Sequence, residues 1–384
     1  MTDRKKIIRT ATVPLSLDLF CRGLLRDLSS RYEIVALSSP QPELDSIRKR
    51  EKVRTIAVPM ARKIAPLSDL KSLFELVRVF RKERPDMVHS ITPKAGLLSM
   101  MAARWTRVPV RIHTFPGLIF PYEKGWQRRL LMTTDRMTAS CATHVIPEGI
   151  GIRDDLIRFR ITRKPLRVLG NGNVRGIDLQ HYVRTEKLSR KAADIRNLFN
   201  IPEDGFVFIF VGRLDRDKGI DTLVKAFQML EKDHPGVYLF LVGAEEPEGK
   251  PILDETRETI GQDSHIILSD GWQADVRPWY AAADALVHPS LREGFPNVVI
   301  EAGAMELSSI VTDINGSREI VKDGRNGTIV PAGNAEALYA AMKEFVENPD
   351  KVREMAAAAR ELASRFEQGY VRQCLDVFYR EVLR

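Results

Sequence analysis

The chain of 384 residues has a formal net charge of +8 at pH 7, and 44% of its residues are hydrophobic. This length allows two domains with a large core. No apolar run approaches the roughly 18 to 20 residues that span a membrane, and the first residues lead directly into a strand pattern, so we expect a cytoplasmic protein. Three widely separated cysteines, Cys21, Cys141 and Cys374, lack metal-site spacing and argue against a disulfide framework.

The positive charge is concentrated in the first half of the chain. Residues 1–168 contain 33 Lys and Arg against 16 Asp and Glu, a balance of +17, whereas residues 169–384 contain 26 against 35, a balance of −9. Such asymmetry indicates that one half meets an anionic partner. Nucleic acid, an acidic bilayer and a polyphosphate lipid all carry the required charge. The sequence has neither an RNA-binding aromatic signature nor zinc-finger spacing, so we predict no nucleic-acid partner.

Short apolar runs alternate with longer amphipathic stretches along the whole chain. Strands are predicted near residues 7–11, 34–37, 55–58, 87–91, 110–113 and 144–146 in the first half, and near 206–211, 237–242, 265–268, 285–287, 310–312 and 328–330 in the second. Helical patterns between them favour mainly parallel sheets with right-handed crossovers. The predicted fold class is α/β, with two Rossmann-like domains.

A strand and a glycine-rich turn within residues 166–178 end the first series of elements. We place the domain boundary near residue 168, which gives an N-terminal domain of residues 1–168 and a C-terminal domain of residues 169–366. Residues 367–384 are predicted to form a final helix that packs back towards the N-terminal domain.

Two carboxylates surround a turn in the second half of the chain. The stretch Arg292-Glu-Gly-Phe-Pro-Asn follows an apolar run that ends at His288, and a helical pattern begins at Asn297. Glu293 is then expected in the loop over the carboxyl end of the strand, where ligands bind in open α/β sheets, and Glu301 one turn inside the helix. The helix N-terminus suits a phosphate, while the carboxylates suit hydroxyl groups of a ribose and a sugar. On spacing alone, a capping residue and a solvated helix face explain the pair equally well.

A second strand, turn and helix pattern occurs at Phe208-Ile-Phe-Val-Gly-Arg-Leu-Asp-Arg-Asp-Lys-Gly219. Arg213 offers a planar fork and Lys218 a mobile point charge, and together they can clamp a diphosphate. Either residue alone would be an ordinary surface cation. Asp215 and Asp217 resemble a metal-binding Asp-x-Asp, but they lie inside this phosphate loop and we assign them no metal.

These two motifs, in this order, resemble those of the retaining nucleotide-sugar glycosyltransferases of the two-Rossmann-domain GT-B type, family 4. The resemblance extends over nearly the whole chain. In the first half, His89-Ser-Ile-Thr-Pro-Lys-Ala-Gly96 and Arg111-Ile-His-Thr114 are similar to the branch that builds bacterial capsule, O-antigen and other lipid-linked glycans. The resemblance implies two domains that face each other across a cleft, with the acceptor on the first domain and the nucleotide-sugar donor on the second.

The resemblance also implies roles for individual residues. The catalytic residues would be His113, Glu293, Arg213 and Lys218. The donor-binding residues would be Gly212, Gly271, Trp272, Gly294, Phe295, Pro296, Asn297 and Glu301, and the acceptor-side residues would be Pro14, Thr92, Pro93 and Lys94. The donor would be a UDP-hexose or UDP-N-acetylhexosamine, which is a substrate, and neither a cofactor nor a metal would be required.

The chain departs from the family pattern at two turns. Residues 12–16 read Thr-Val-Pro-Leu-Ser where the family often has glycines, and residues 305–308 read Met-Glu-Leu-Ser where the family commonly has a Gly-x-Pro turn. We expect a local backbone change at the second turn. Two alternative functions remain open: a UDP-sugar 2-epimerase of the same architecture, and a catalytically silent protein that binds sugar nucleotides or lipids.

The charge asymmetry predicts that the first domain docks on an anionic membrane, on the inner face of the plasma membrane, and takes a polyprenyl-diphosphate-linked or other glycan acceptor. One candidate surface is the stretch 67–82, with apolar residues at 67, 70, 73, 74, 77 and 80 and flanking basic residues that include Arg62 and Lys63. A second is the stretch 124–132 around Trp126. Alternatively, both helices simply cover the sheet of the first domain.

Overall fold

The computed structural model describes residues 4–62, 65–246 and 249–384, so Lys63 lies outside the described residues. The chain divides into two compact units. The first, unit 1, contains the residues up to Gly176 together with Gly369–Arg384, and the second, unit 2, contains Ile177–Gln368.

Unit 1 is built on a parallel sheet of six strands. The strands are β1 (Lys6–Thr10), β2 (Glu33–Ser38), β3 (Arg54–Ala57), β4 (Met87–Ser90), β5 (Val110–Phe115) and β6 (His144–Pro147). The helices are α1 (Pro14–Cys21), α2 (Leu24–Leu28), α3 (Pro42–Glu51), α4 (Pro66–Glu83), α5 (Pro93–Trp105), α6 (Gly125–Cys141) and α7 (Ile150–Arg158). The strand order is β3-β2-β1-β4-β5-β6. Proline begins α1, α3, α4 and α5, where its fixed φ suits a helix and its missing N–H removes no hydrogen bond.

Unit 2 repeats this architecture. Its strands are β7 (Phe206–Val211), β8 (Val237–Val242), β9 (Ile266–Leu268), β10 (Ala285–His288), β11 (Ser308–Thr312) and β12 (Gly327–Val330), in the order β12-β11-β10-β7-β8-β9. Its helices are α8 (Glu186–Leu198), α9 (Ile220–Asp233), α10 (Asp254–Gln262), α11 (Arg277–Ala282), α12 (Asn297–Ala304), α13 (Ser317–Ile320), α14 (Ala335–Glu347) and α15 (Pro349–Ala363). The chain then ends with α16 (Gln368–Val382), most of which belongs to unit 1.

Helices cover both faces of each sheet, which explains why the strands are almost continuously apolar. Ile7 and Ile8 are both fully buried, yet Ile8 packs with α4 to α7 whereas Ile7 packs with α1 to α3 and α16. Phe208 and Ile209 divide in the same way between the two core clusters of unit 2. Side chains along a strand alternate between faces with a period of two, so neighbouring residues supply opposite layers. The predicted α/β class with two Rossmann-like domains is confirmed.

The final helix is tied to β1 by a buried polar cluster in unit 1. The guanidinium of Arg9 is 3% exposed, and its Nη1 donates to the hydroxyl of Tyr379 at 2.6 Å and lies 2.6 Å from Nδ1 of His89. Its Nη2 contacts the sulfur of Cys21 at 3.3 Å. These three contacts come from β4, α16 and α1, so the enclosure of the buried positive charge depends on all three elements being in place.

The turn after α12, where the sequence departs from the family pattern, has an unusual backbone. Glu306 adopts a φ of 60°, the left-handed conformation that a glycine takes without strain. Among the described residues, no helix is long and apolar enough to cross a membrane.

Candidate active site

The two motifs of unit 2 meet because their strands are neighbours. β10 pairs directly with β7, so the loops that follow these strands lie at the same carboxyl edge of the sheet. The backbone N–H of Leu291 donates to the carbonyl of Asp217 at 2.8 Å, and the hydroxyl of Ser290 donates to the same carbonyl at 3.2 Å. The loop that carries Arg213 and Lys218 is therefore fixed to the loop that carries Glu293.

Glycine allows the backbone to turn sharply at this edge. Gly212, directly after β7, has a φ of 151°, and Gly243, directly after β8, has a φ of 153°. A Cβ on Gly243 would lie 1.9 Å from the carbonyl oxygen of Gly212. The loops after the two strands can approach this closely only because a side chain is missing.

Lys218, Glu293 and His288 form a compact cluster. The ammonium of Lys218 and Nε2 of His288 both contact Oε1 of Glu293, and the distance from Nε2 to Oε1 is 3.0 Å. The side chains of His288 and Glu293 are 2% and 14% exposed. Burial alone would raise the pKa of Glu293, but the charge of Lys218 and the hydrogen bond from His288 outweigh it and hold that pKa far below its ordinary value. Glu293 is therefore an ionised carboxylate with a fixed orientation.

His288 is a residue that the sequence reasoning missed. It ends the apolar run of β10 and stacks on Phe210, with ring planes 7° apart and centroids separated by 6.2 Å. Because a carboxylate only accepts hydrogen bonds, Nε2 of His288 must carry the hydrogen, while its buried Nδ1 has no partner among the described residues. A polar residue at the carboxyl end of an otherwise apolar strand, five residues before Glu293, was the available signal.

Arg213 is also engaged by carboxylates. Its Nη1 lies 2.7 Å from Oε2 of Glu246 and 3.1 Å from Oδ2 of Asp215. Burial would lower the pKa of Arg213, yet the hydrogen bond to Glu246 and the two negative charges raise it. Glu246, in the loop after β8, was not among the predicted site residues. The cation predicted to hold a diphosphate thus carries an acidic partner from the protein.

Asp217 has cationic partners as well. It accepts from Nε and Nη2 of Arg292 at 2.9 and 2.6 Å, and from the ammonium of Lys250 at 3.1 Å. Both carboxylates of the Asp-x-Asp sequence are therefore ion-paired. Within the described ranges, no group of three or more His, Cys, Asp or Glu side chains is arranged to hold a metal ion.

Most of the remaining residues predicted for the donor side lie around the start of α12. Asn297 is its first residue, and Glu301, 5% exposed, lies 3.4 Å from the hydroxyl of Tyr280. Phe295 is buried against Phe366, with ring centroids 5.3 Å apart. Gly294 and Pro296 complete the turn, whose backbone lies so close to Gly316 that a Cβ there would be 2.5 Å from the carbonyl oxygen of Gly294.

Gly271 and Trp272 follow β9, the edge strand next to β8. Gly271 has a φ of 62°, and its carbonyl accepts from the hydroxyl of Ser269 at 3.0 Å. The same hydroxyl accepts from the N–H of Gly243 at 3.1 Å, which ties this loop to the loop after β8. Trp272 is 77% exposed and leaves a large aromatic face open to solvent.

In unit 1, His113 lies in β5 with its ring enclosed. Its Nδ1 is 2.8 Å from the hydroxyl of Ser90, and its ring packs edge-on against Phe115. A Cβ on Gly96 would lie 2.3 Å from Cε1 of His113, so this glycine makes room for the imidazole. Burial lowers the pKa of His113 to about 3, which keeps the ring neutral at physiological pH.

The residues predicted for the acceptor side lie at the carboxyl edge of the unit 1 sheet. Pro14 and Pro93 begin the helices that follow β1 and β4, and these two strands are paired. The hydroxyl of Thr92 accepts from the N–H of Thr12 at 2.8 Å, which joins the two loops. The ammonium of Lys94 lies 2.8 Å from Oδ1 of Asp69 in α4. Polar side chains of both loops are thereby held together at one edge.

Comparison with known proteins places this chain in a family. Residues 20–172 match the family model of the glycosyl transferase 4-like domain, and residues 192–362 match that of the glycosyl transferases group 1. The chain is 30% identical over 386 residues to the capsular polysaccharide biosynthesis glycosyltransferase CapM of Staphylococcus aureus, and this alignment covers 99% of the chain and 98% of CapM.

Two further relatives agree with this assignment. The UDP-Gal:alpha-D-GlcNAc-diphosphoundecaprenol alpha-1,3-galactosyltransferase of Escherichia coli is 27% identical over 311 residues, which cover 79% of this chain and 76% of that enzyme. The crystal structure of HepE from Anabaena in complex with UDP has the same fold, with a TM-score of 0.81 at 18% identity, over 98% of this chain and 100% of HepE. The chain belongs to the GT-B glycosyltransferases of family 4, together with enzymes of bacterial polysaccharide synthesis.

Proposed function

We propose that this protein transfers a sugar from a UDP-sugar, with retention of configuration, to a lipid-linked glycan acceptor during the synthesis of a bacterial surface polysaccharide. The observation that carries the proposal is the meeting of Arg213, Lys218 and Glu293 at one edge of the unit 2 sheet, beside the N-terminus of α12. Two cations and a helix N-terminus suit a diphosphate, and a fixed carboxylate suits sugar hydroxyls.

The proposed donor is a UDP-hexose or a UDP-N-acetylhexosamine. The name of the Escherichia coli relative specifies UDP-Gal as its donor, and HepE was solved with UDP. In unit 2, Glu301 would accept a hydrogen bond from the ribose. The exposed loop at Gly271 and Trp272 would hold the base through its backbone.

In the proposed mechanism, this chain stabilises charge rather than supplying a nucleophile. Arg213 and the N-terminus of α12 would oppose the negative charge that develops on the leaving diphosphate, without a metal ion. Lys218 has three N–H donors, so it can keep one hydrogen bond to Glu293 and direct another to a phosphate. Glu293 would hold the sugar hydroxyls, and the leaving phosphate would help to deprotonate the acceptor on the same face. His113, kept neutral by burial, would meet the donor sugar.

The proposed acceptor is a glycan on a polyprenyl diphosphate at an anionic membrane, on the cytoplasmic side. The name of the Escherichia coli relative includes such a diphosphoundecaprenol acceptor. The balance of +17 in residues 1–168 supports an anionic surface as partner, because each Lys or Arg near such a surface contributes on the order of 1 kcal/mol before screening.

Two experiments test this proposal. In a thermal-shift series with UDP-sugars and GDP-sugars, we expect stabilisation by UDP-sugars only, since a ligand that binds the native state raises the unfolding temperature. Stabilisation by GDP-sugars alone would refute the donor assignment. In a coupled assay, we expect free UDP to form in the presence of a lipid-linked acceptor and to disappear in Glu293→Gln. UDP formation without any acceptor, together with a change in the sugar, would instead indicate a 2-epimerase.

A further inference from the structure

The outer face of α4 is an exposed apolar surface in unit 1. The predicted stripe of this helix divides in two: Leu73, Val77 and Phe80 are buried in the core, whereas Leu67, Leu70 and Phe74 are 87%, 50% and 53% exposed. The exposed residues are spaced by three and four positions and therefore share one side of the helix. The packing of α4 against the sheet explains the buried apolar residues, but it does not explain the exposed ones.

Trp105 extends this surface from the end of α5. Its ring centroid lies 5.9 Å from that of Phe74, and the indole is 54% exposed. Leu67, Leu70 and Phe74 line a shallow groove of about 490 Å³ together with Lys71, Glu75 and Arg78. Four large apolar side chains thus form one patch, and an exposed patch of this kind commonly marks an interaction site.

Basic residues accompany the patch. Lys71 and Arg78 lie on the same side of α4 and line the groove with Glu75. Arg104 and Arg107 are exposed and close to Trp105 in the sequence, and Arg104 donates to the carbonyl of Ser140 at 3.4 Å. A second copy of this chain would bring two such positive faces together, which is unfavourable. An anionic lipid surface complements such a positive face. The apolar side chains of α4 would enter the boundary of the acyl chains, the indole of Trp105 would lie among the headgroups, and the basic side chains would face the lipid phosphates.

The patch also adjoins the proposed acceptor side of the protein. Asp69, which lies between Leu67 and Leu70 in the first turns of α4, holds the ammonium of Lys94 at 2.8 Å. Lys94 follows Pro93 at the carboxyl edge of the unit 1 sheet. A lipid-linked acceptor bound at this edge would therefore have its membrane anchor next to the outer face of α4.

From these observations we infer that the outer face of α4, with Trp105, is the surface by which this protein lies on an anionic bilayer. The inference rests on the proposed function for the identity of the acceptor, but the surface itself is defined by exposure and charge. Because Asp69 at the start of α4 contacts Lys94, this orientation would bring the acceptor diphosphate close to the sheet edge.

Vesicle flotation of the whole protein tests this surface without any donor or acceptor. We expect the wild type to bind vesicles of phosphatidylcholine mixed with phosphatidylglycerol, and to lose binding in high salt. The triple variant Leu67→Ser, Leu70→Ser, Phe74→Ser should bind at least roughly tenfold more weakly, because it removes most of the apolar area that enters the interface. Lys71→Gln and Arg78→Gln should each weaken binding about fivefold.

The matched control is Leu198→Ser, which replaces an isolated leucine that is 72% exposed at the end of α8 in unit 2. It should bind vesicles like the wild type. The emission of Trp105 should shift to shorter wavelength on vesicle binding, and this shift should be missing in Trp105→Phe. Equal binding by the triple variant and the wild type would overturn the inference. So would a wild-type dimer that the triple variant converts to a monomer, since a second copy would then cover the patch.

Failure of the surface and failure of the proposed function give different results. Suppose that the protein transfers sugar to an acceptor in detergent micelles and that the triple variant binds vesicles as well as the wild type. Only the inference about the membrane surface would then be wrong. If the protein binds vesicles through this patch but transfers no sugar, the membrane surface is supported and the proposed transfer to a lipid-linked acceptor is wrong.

Discussion

Replacement of His288 by leucine should reduce turnover far more than it reduces nucleotide binding. The imidazole is buried and donates to Oε1 of Glu293 at 3.0 Å, so His288→Leu removes one of the two donors that hold this carboxylate. Water has little access to replace the lost donor, since the histidine side chain is only 2% exposed. Glu293 would then depend on Lys218 alone for its orientation.

The size of the effect follows from this geometry. A hydrogen bond to a charged group contributes about 1.5 to 3 kcal/mol, and a carboxylate that loses its donor is left partly uncompensated. Each 1.36 kcal/mol of activation free energy corresponds to tenfold in rate, so kcat should fall by roughly 10- to 100-fold. If Glu293 contacts only the sugar, the affinity for UDP should change little.

The comparison of two variants separates positioning from simple damage to the core. The amide nitrogen of His288→Gln can occupy nearly the position of Nε2 and donate to Glu293, whereas leucine cannot. We expect His288→Gln to recover much of the turnover that His288→Leu loses, with kcat and KM measured by UDP release and UDP affinity by calorimetry. Equal losses in both variants, or a His288→Leu enzyme within twofold of the wild-type kcat, would refute the positioning role.

The pH dependence provides an independent readout of the same contact. The folded protein holds the pKa of Glu293 below its ordinary value of 4.5, so this group stabilises the fold above pH 4.5 and the contribution is lost as the pH falls. Without His288 the pKa of Glu293 should rise towards 4.5. The acid limit of stability should therefore move to higher pH in His288→Leu and much less in His288→Gln, as measured by urea denaturation at a series of pH values.

Three further perturbations test other parts of the site. Arg213→Ala or Lys218→Ala should cost roughly 2 to 4 kcal/mol in kcat/KM, the scale for one preorganised donor, and a change confined to KM would contradict a transition-state role. Gly96→Ala should lower the free energy of unfolding by about 1 to 3 kcal/mol and impair turnover, because the added Cβ would lie 2.3 Å from Cε1 of His113. Wild-type stability and activity in this variant would show that the ring of His113 can move away. Because burial lowers the pKa of His113 from 6.5 to about 3, only the unfolded chain takes up this proton between those values, so stability should fall as the pH drops from 6.5 to 3, and His113→Gln should show a smaller fall.

The sequence was sufficient to predict where the strands lie along the chain and that helices alternate with them. A strand that is buried on both faces is mostly apolar, and glycine and proline are favoured in the turns between strands and helices, so these local features are visible without the structure. The same periodicity located Glu293 in the loop after β10 and Asn297 at the start of α12. Parallel pairing then brings the loops after β7 and β10 to a common edge.

The partners of the charged residues were not predictable in this way. Lys218 was expected to hold a diphosphate and in the structure lies on Glu293, while Arg213 lies on Glu246, which follows a different strand. Such pairs depend on tertiary approach and have no signal in local spacing. The sequence also could not show that one half of the apolar stripe of α4 is exposed. Helical periodicity shows which side chains align on one side of the helix, but not how much of that side the neighbouring elements cover.

The buried cluster around Arg9 has a consequence for the synthesis of the protein. Tyr379, which accepts from the Arg9 guanidinium, lies 370 positions further along the chain, beyond all of unit 2. While the ribosome is still translating unit 2, the nascent first unit has a cation in its central strand that lacks this partner, and the apolar residues that α16 covers stand open to solvent. Unit 1 cannot complete its core until the last helix has been made. Chaperones that recognise exposed apolar surface therefore have their longest opportunity to act on the amino-terminal part of the chain. A stop codon shortly before residue 379 should leave that part aggregation-prone although all residues of unit 2 are present.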